Sequence, residues 1–315
     1  MSRHEPGPLA GKVAVVTGGG RGIGRAIVEA LANAGARVVL ADAGLAIDGR
    51  PEQPHLAESV ARALTAQGLE VLPYAERLES PADAATLVAQ AQAVYGPVDI
   101  LVNNAAILQD RMVFNLSPGS WDVVLANNLS LAFYLIREVS PAMRERRGGR
   151  IVNMISSAGL IGNYGQAGYA AAKGGLYALT RVAALDLARY TVTVNAIAPF
   201  AHTRVTDSIT PRHPAVAEYQ ATVKDRAQPD SVARLVLYLC MDAARVLTGQ
   251  VFGVRGPEVF LFSAPRPIGA HAAPDTLSPE FLAETVAAWE AEGLLTPLET
   301  DLMVMSQPLV PPPPS

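Results

Sequence analysis

The chain has 315 residues, of which 50% are hydrophobic and 17% are charged, and its formal net charge at pH 7 is −4. This length suits one large domain with a tail, and half the residues are available for a core. The slightly acidic balance provides no basic surface, so neither nucleic acid nor an anionic membrane is expected as a partner.

Other features of the composition indicate a cytoplasmic protein. Residues 1–8 contain no apolar signal region, and no uninterrupted apolar run reaches the ~18 residues that span a bilayer. The single cysteine, Cys240, cannot form an internal disulfide and fits a reducing compartment. No cluster of His, Cys and Asp has metal-ligand spacing, so no metal is expected.

Short β-branched runs alternate with longer helical stretches over residues 1–263. Six runs are apolar almost throughout, as in a parallel sheet covered on both faces: 12–17, 37–41, 98–103, 150–154, 192–197 and 251–254. Glycines at 35, 68, 96 and 148 stand where helices should end, and Ser-Pro pairs at 80–81, 117–118 and 278–279 are typical of helix starts. The pattern predicts a single α/β domain with a doubly wound, Rossmann-like parallel sheet.

A glycine-rich loop joins the first predicted strand to the first helix. Residues 17–24 read Thr-Gly-Gly-Gly-Arg-Gly-Ile-Gly. Gly18, Gly22 and Gly24 permit a tight turn and let the backbone approach a pyrophosphate that faces the helix N-terminus. The loop therefore predicts a bound dinucleotide.

Two residues bear on which dinucleotide binds. Asp42 ends the second strand, where a carboxylate can bond both ribose hydroxyls and repel a 2′-phosphate, which favours NAD. Arg21 lies in the glycine loop, where it can pair with a 2′-phosphate and favour NADP. We give Asp42 more weight, because we expect its repulsion of a 2′-phosphate to cost more binding free energy than the attraction of a mobile arginine contributes. NAD is predicted, with NADP as the alternative.

Tyr169 and Lys173 are four residues apart and share a helix face. One unit charge ~4 Å from a phenol contributes about 4 kcal/mol at an effective dielectric of ~20. That is enough to bring a phenol pKa from ~10 to ~7. The pair predicts a tyrosine that transfers protons at neutral pH.

Taken in order, these motifs resemble the short-chain dehydrogenase/reductase family over about residues 9–262. The remaining family elements are Asn-Asn-Ala-Ala at 103–106, Asn128, and Ser156, thirteen residues before Tyr169. The resemblance implies Tyr169 as general acid/base, Lys173 as the residue that tunes it and holds the nicotinamide ribose, Ser156 bonded to the substrate oxygen, and Asn128 holding a water that relays protons. It also implies this set of cofactor contacts: Gly18, Arg21, Gly22, Ile23, Gly24, Asp42, Asn104, Ala105, Ala106, Tyr169, Lys173, Pro199 and Thr203.

Three positions depart from the usual family pattern. Ala106 replaces a glycine, Phe200 follows Pro199 where a glycine is common, and Arg77 stands where an aspartate often meets the adenine. We expect the extra methyl of Ala106 to be tolerated and Phe200 to narrow the nicotinamide pocket.

Segments 108–112, 162–169 and 198–206, with the insert after Asp42, resemble the (3R)-hydroxyacyl-CoA dehydrogenase branch. This resemblance implies an NAD-dependent enzyme that interconverts a secondary alcohol and a ketone on an acyl-CoA thioester, with a fatty-acyl or steroid side chain. Two alternatives stay open, an NADPH-dependent 3-oxoacyl-(carrier protein) reductase and a dinucleotide-binding regulator without activity. The resemblance further implies a homodimer or homotetramer that pairs through helices near 118–146 and 168–190.

Residues 264–315 form an extension of different composition. A linker begins near Ser263, a helix is predicted over 279–292, and a Pro-rich tail ends the sequence. Leu282, Val286 and Trp289 share one face of that helix. We expect this face to pack beside the substrate cleft of its own or a neighbouring subunit, because an isolated helix of this length is marginal.

Overall fold

The computed structural model describes residues 7–202, 217, 227–273 and 276–304, without the Met303 side chain. Within this part of the chain eight strands form one sheet: β1 Val13–Thr17, β2 Arg37–Ala41, β3 Val71–Tyr74, β4 Ile100–Asn103, β5 Gly149–Met154, β6 Val192–Phe200, β7 Val251–Arg255 and β8 Glu258–Leu261. Their order is β3-β2-β1-β4-β5-β6-β7-β8.

The strand order reverses beside β1. The chain runs outward from β1 through β2 to β3 and then crosses back to place β4 on the other side of β1, with all these pairs parallel. The loops that follow β1 and β4 therefore diverge above the sheet and leave a crevice at its carboxyl edge. The predicted α/β, doubly wound fold is confirmed.

Two strands were not predicted, and both lie at sheet edges. β3 contains Pro73, which cannot donate to a ladder and is tolerated at an edge. β8 pairs antiparallel with β7, so the sheet is mixed and not purely parallel. Exposed and half-buried side chains alternate along β8, which gives it none of the continuous apolar character of the inner strands.

Helices cover both faces of the sheet, and further helices lie in the C-terminal extension. They are α1 Gly22–Asn33, α2 Leu56–Thr65, α3 Pro81–Tyr95, α4 Pro118–Leu125, α5 Leu131–Arg146, α6 Ala167–Leu187, α7 Pro229–Cys240, α8 Pro279–Ala291 and α9 Asp301–Val304. Ser80, Ser117 and Ser278 each accept a backbone hydrogen bond at a helix start, as their Ser-Pro pairs predicted.

The core has one layer on each face of the sheet. On one face Ile27 and Leu31 of α1 are buried with Val236 of α7, and on the other Leu87 of α3 is buried with Leu135 of α5. Burial of one side chain of this size contributes about 1.5–3 kcal/mol to the stability of the fold. The two layers therefore hold the helices, and the crevice loops joined to them, in place against the sheet. No helix in the described part of the chain is long and apolar enough to cross a membrane.

A buried polar chain aligns three of these elements. Asn103 of β4 donates to Asn153 of β5 at 2.8 Å, and Asn153 donates to Thr180 of α6 at 2.9 Å. Thr180 donates in turn to the Leu176 carbonyl at 2.7 Å. Since buried amides need partners, these bonds define how β4, β5 and α6 sit against each other.

Candidate active site

The crevice begins where the loops after β1 and β4 are joined. The Thr17 hydroxyl accepts hydrogen bonds from the backbone N–H groups of Asn104 at 3.0 Å and Ala105 at 3.1 Å. The Asn104 amide nitrogen donates back to the carbonyls of Thr17 and Gly18 at 3.0 and 3.1 Å. The residues after β4 are thereby held against the glycine loop.

The glycine loop leaves no room for side chains at two positions. A Cβ on Gly24 would lie 1.9 Å from the Gly18 carbonyl oxygen, and a Cβ on Gly18 would lie 2.9 Å from the Ala105 Cα. Gly18 and Gly22 also have positive φ angles of 64° and 49°. The bare backbone and the start of α1 form a cradle that fits a pyrophosphate.

Asp42 is fixed at the end of β2 by two backbone donors. Its carboxylate accepts from the Gly20 N–H at 2.9 Å and from the Gly44 N–H at 2.8 Å, one bond to each oxygen. Each oxygen keeps a second lone pair, so the carboxylate is still able to accept from ribose hydroxyls.

Arg21 lies across the crevice and forms an ion pair with Glu52 through Nη1. Its Nε and Nη2 are buried without a hydrogen-bond partner among the described residues. Buried donors of this kind need a partner, so they indicate that a ligand with acceptor oxygens completes the site. The cradle, Asp42 and these donors together fit a dinucleotide.

The insert after Asp42 forms one wall of the crevice, a role that the sequence did not predict. The Ile47 carbonyl accepts from the Leu108 N–H at 2.7 Å, and the Asp48 carbonyl accepts from the Gln109 side chain at 2.8 Å. These bonds hold the insert against the loop that follows β4.

Ser156, Tyr169 and Lys173 converge at the deep end of the crevice. Ser156 follows β5, and its hydroxyl interacts with the Tyr169 phenol of α6. The Lys173 ammonium lies 5.7 Å from the Tyr169 ring centroid and donates to the Met154 carbonyl at 2.6 Å. The predicted one-turn spacing therefore brings the two side chains together.

The electrostatics differ from the sequence-based expectation. Burial raises the pKa of Tyr169 to about 12, and the carboxylates of Asp110 and Asp301 act in the same direction. Burial also lowers the pKa of Lys173 to about 8. The expectation that Lys173 brings Tyr169 to neutral pH stays a prediction, and in the protein alone burial of the phenol is the largest influence on its pKa and acts against it.

Asn128 lies in a π-helical turn, Ala126–Ser130, between α4 and α5. Its Oδ1 accepts from the Ile107 N–H at 2.9 Å and its Nδ2 donates to the Ile107 carbonyl at 2.8 Å. The side chain is buried behind the crevice and fixes the loop that follows β4. Its predicted role of holding a water for Lys173 stays a prediction.

The structure brings most of the other predicted residues together. The crevice has a volume of about 450 Å³. Lining it are Gly18, Arg21, Gly22, Ile23, Gly24, Asp42, Asn104, Ala105, Ala106, Ser156, Tyr169, Lys173 and Pro199. Thr203 lies outside the described residues, as does most of the segment that follows it.

The structure shows the contacts of Phe200 and Arg77, two of the departures from the family pattern. Phe200 also lines the crevice, but its ring is 6% exposed and packs 5.8 Å from the Phe260 ring centroid, so it belongs largely to the core. Arg77 lies at the crevice edge and pairs with Glu79 at 2.6 Å.

The C-terminal extension reaches the crevice, although not through the predicted helix face. Leu282 and Val286 of α8 are each 47% exposed, and Trp289 stacks edge-on with His271 of the linker at 6.1 Å. The crevice is lined instead by Asp301 and Leu302 of α9. Within its own chain α8 therefore does not line the crevice, while packing beside the cleft of a neighbouring subunit stays a prediction. No sequence pattern singles out Asp301.

Comparison with known proteins agrees with this geometry. The sequence profile of the family described as "short chain dehydrogenase" matches residues 12–213. The chain is 41% identical over 265 residues to a hydroxyacyl-CoA dehydrogenase, ChsB1, of Mycobacterium tuberculosis, covering 82% of this chain and 81% of that protein. It is 35% identical over 247 residues to the 3-oxoacyl-[acyl-carrier-protein] reductase FabG of Escherichia coli, covering 78% of this chain and 96% of that protein.

A solved structure is also similar. The crystal structure of a short chain dehydrogenase from Mycobacterium avium superposes with a TM-score of 0.79 at 36% identity, covering 93% of this chain and 99% of that one.

Proposed function

The chain belongs to the short-chain dehydrogenase family and is therefore an oxidoreductase of hydroxyl and keto groups, and from this premise we propose that it interconverts 3-hydroxyacyl and 3-oxoacyl thioesters of coenzyme A. The observation that carries the proposal is the convergence of Ser156, Tyr169 and Lys173 beside the glycine cradle. The similarity to ChsB1 supports the substrate class.

Each of the three residues has a role that follows from its position. Tyr169 would exchange a proton with the substrate oxygen, since its phenol lies in the crevice within reach of a carbonyl or hydroxyl. Ser156 would donate to the same oxygen as negative charge develops there. Lys173, held by the Met154 carbonyl, would place a positive charge beneath the Tyr169 ring and favour the phenolate.

The family binds a nicotinamide dinucleotide, which supplies or accepts the hydride when bound. We infer that this chain prefers NAD. Asp42 would present its carboxylate to the adenosine ribose, and the Glu52 carboxylate already neutralises part of the Arg21 charge. A 2′-phosphate would meet a fixed negative charge at Asp42 and only a partly compensated positive one at Arg21.

One observation favours the alternative of an NADPH-dependent 3-oxoacyl-(carrier protein) reductase. The unpartnered Nε and Nη2 of Arg21 can accommodate phosphate oxygens. The likeness to FabG of E. coli supports the same alternative.

A homodimer or homotetramer is also proposed. Phe133 of α5 and Val182 and Leu185 of α6 are 46%, 54% and 77% exposed, which leaves apolar surface on the two helices for a second copy to cover. We also propose the cytoplasmic location that the composition predicts.

Initial rates test the proposed function. We expect oxidation of a 3-hydroxyacyl-CoA with NAD at a kcat/KM at least about tenfold higher than with NADP. A preference for NADPH with a 3-oxoacyl carrier-protein substrate would favour the alternative. Absence of turnover with both cofactors on both thioester classes would reject the proposal.

A further inference from the structure

Asp301 places a buried carboxyl group in the crevice that Tyr169 also lines. The residue is only 4% exposed, and with the buried Thr300 it ends the exposed run 295–299 of the extension. Its backbone N–H donates to the Gly162 carbonyl at 2.8 Å, so the segment is attached to the loop that precedes α6. That loop leads directly to Tyr169.

Within the described part of the chain, the carboxylate of Asp301 is held by hydroxyl and amide donors and not by a cation. Oδ2 accepts from the Ser157 hydroxyl at 2.7 Å, and Oδ1 accepts from the Leu302 N–H at 2.8 Å. Both bonds favour the ionised form. Neither donor cancels its charge, so its field extends into the crevice.

Tyr169 is the group that this field reaches. Among the residues that the structure describes, the titratable groups that face its phenol are Lys173 on its own helix, Asp301 of the extension and Asp110 of the loop after β4. Asp110 is exposed, does not line the crevice, and accepts from the Gln166 side chain at 2.9 Å. Asp301 is therefore the enclosed member of two carboxylates beside the reacting position.

We propose that Asp301 is a specificity-determining residue, which restricts the crevice to substrates that are uncharged around the reacting carbon. This inference rests on the proposed function and refines its substrate class. A thioester carbonyl next to the 3-hydroxy or 3-oxo carbon is neutral and is accepted. The free 3-oxo acid carries a carboxylate at that position, and a second negative charge in a poorly hydrated crevice is repelled.

The proposal predicts that the discrimination against free acids increases with pH. Burial raises the pKa of Asp301, so the carboxylate is protonated more readily than in solution. The discrimination against free acids is therefore full at alkaline pH and fades as the pH falls through that raised pKa.

The experiment compares wild type with Asp301→Asn and with Glu299→Gln. The asparagine retains an acceptor for Ser157 but carries no charge. Glu299 is exposed two positions earlier in the same segment, so its variant removes the same charge outside the crevice. Reduction of a 3-oxo acid and of its N-acetylcysteamine thioester is followed with each variant above neutral pH.

The expected result is a fall of roughly tenfold in the thioester-to-acid ratio of kcat/KM in Asp301→Asn. This is the effect of one unit charge ~10 Å away at an effective dielectric of ~20. The change should come from faster turnover of the acid, while Glu299→Gln should keep the wild-type ratio. An unchanged ratio in Asp301→Asn, or an equal change in both variants, would overturn the proposal.

A second measurement needs no substrate and separates this inference from the proposed function. The pKa of Tyr169 is followed by NMR of ¹³C-labelled tyrosine, with the resonance assigned through Tyr169→Phe. The pKa of Tyr169 should be lower in Asp301→Asn than in wild type and unchanged in Glu299→Gln. If no thioester is turned over but this shift is seen, the proposed function fails while the charge of Asp301 still acts on Tyr169. If the shift is absent, the inference fails.

Discussion

Ser157 and Asp301 are 144 positions apart in the sequence, yet the serine hydroxyl donates to the aspartate carboxylate at 2.7 Å. Ser157 directly follows Ser156, whose hydroxyl interacts with the Tyr169 phenol. The bond therefore connects the C-terminal extension to the segment that carries the reacting groups.

Removal of the extension should affect substrate more than cofactor. Truncation after Phe262 should leave the sheet folded and able to bind dinucleotide, but should raise the substrate KM. Because Asp301 and Leu302 line the crevice and α8 does not, truncation after Leu298 should raise the KM to a similar extent. Steady-state kinetics and dinucleotide titration of both truncations check this, and an unaltered KM in both would show that the extension takes no part in recognition.

Tyr169→Phe should lower turnover by at least ~10²-fold, because proton transfer to the substrate oxygen is lost. Dinucleotide affinity should change little, since the ring is retained. Tyr177→Phe, on the same helix and partly buried in the core, is the matched control and should keep wild-type turnover. Near wild-type turnover in Tyr169→Phe would remove this residue from the mechanism.

Asp42→Ala should raise the NADP/NAD ratio of kcat/KM by roughly tenfold or more, which corresponds to about 1.4 kcal/mol. The repulsion at the ribose disappears, and the free donors of Arg21 become available to a 2′-phosphate. Asp48→Ala is the control, because Asp48 lies in the same insert but pairs with Arg50 at 2.7 Å. A wild type that already prefers NADP would contradict the assignment.

Gly24→Ala should abolish dinucleotide binding, because the new Cβ would lie 1.9 Å from the Gly18 carbonyl oxygen and would displace the loop. Gly119→Ala offers a comparison in α4, where a Cβ meets nothing within 4 Å and a helical alanine is favoured by roughly 0.5–1 kcal/mol. Fluorescence titration with the dinucleotide checks both variants. Equal binding by the two would contradict the proposed cradle.

The buried Lys173 predicts how stability depends on pH. Its pKa is lowered from 10.5 to about 8, so between these values the unfolded chain holds a proton that the folded chain has released. The free energy of unfolding should therefore rise with pH in that window. In Lys173→Met this contribution is absent, and wild type should gain about 2 kcal/mol on the variant between pH 8 and 9.5. Denaturant titrations at several pH values measure the difference, and parallel pH profiles would contradict the burial of a charged lysine.

Local patterns in the sequence were sufficient to predict the inner strands, the glycine loop and the Tyr169–Lys173 pair. Each depends on residues within a few positions of one another, such as the continuous apolar run of β1 or the one-turn spacing on α6. The same reasoning missed β3 and β8, because edge strands are half-exposed and their pairing depends on distant segments.

Contacts between distant segments also account for the features of the site that the sequence did not predict. The spacing of Tyr169 and Lys173 indicates that they are neighbours, but not that enclosure of both side chains raises one pKa and lowers the other. Asp301 is a single carboxylate in an extension without periodicity, and its place in the crevice depends on Ser157 and Gly162.

The hydrogen-bonded chain from Asn103 through Asn153 to Thr180 makes the stability of the fold depend on the correct assembly of the active site. β4, β5 and α6 precede or carry all the groups proposed to react. A slip of one residue in a strand would turn its asparagine to the opposite face and leave buried amides without partners, at about 1–3 kcal/mol for each. Molecules with a displaced active site are therefore also less stable, and they are more readily unfolded and degraded than correctly assembled ones.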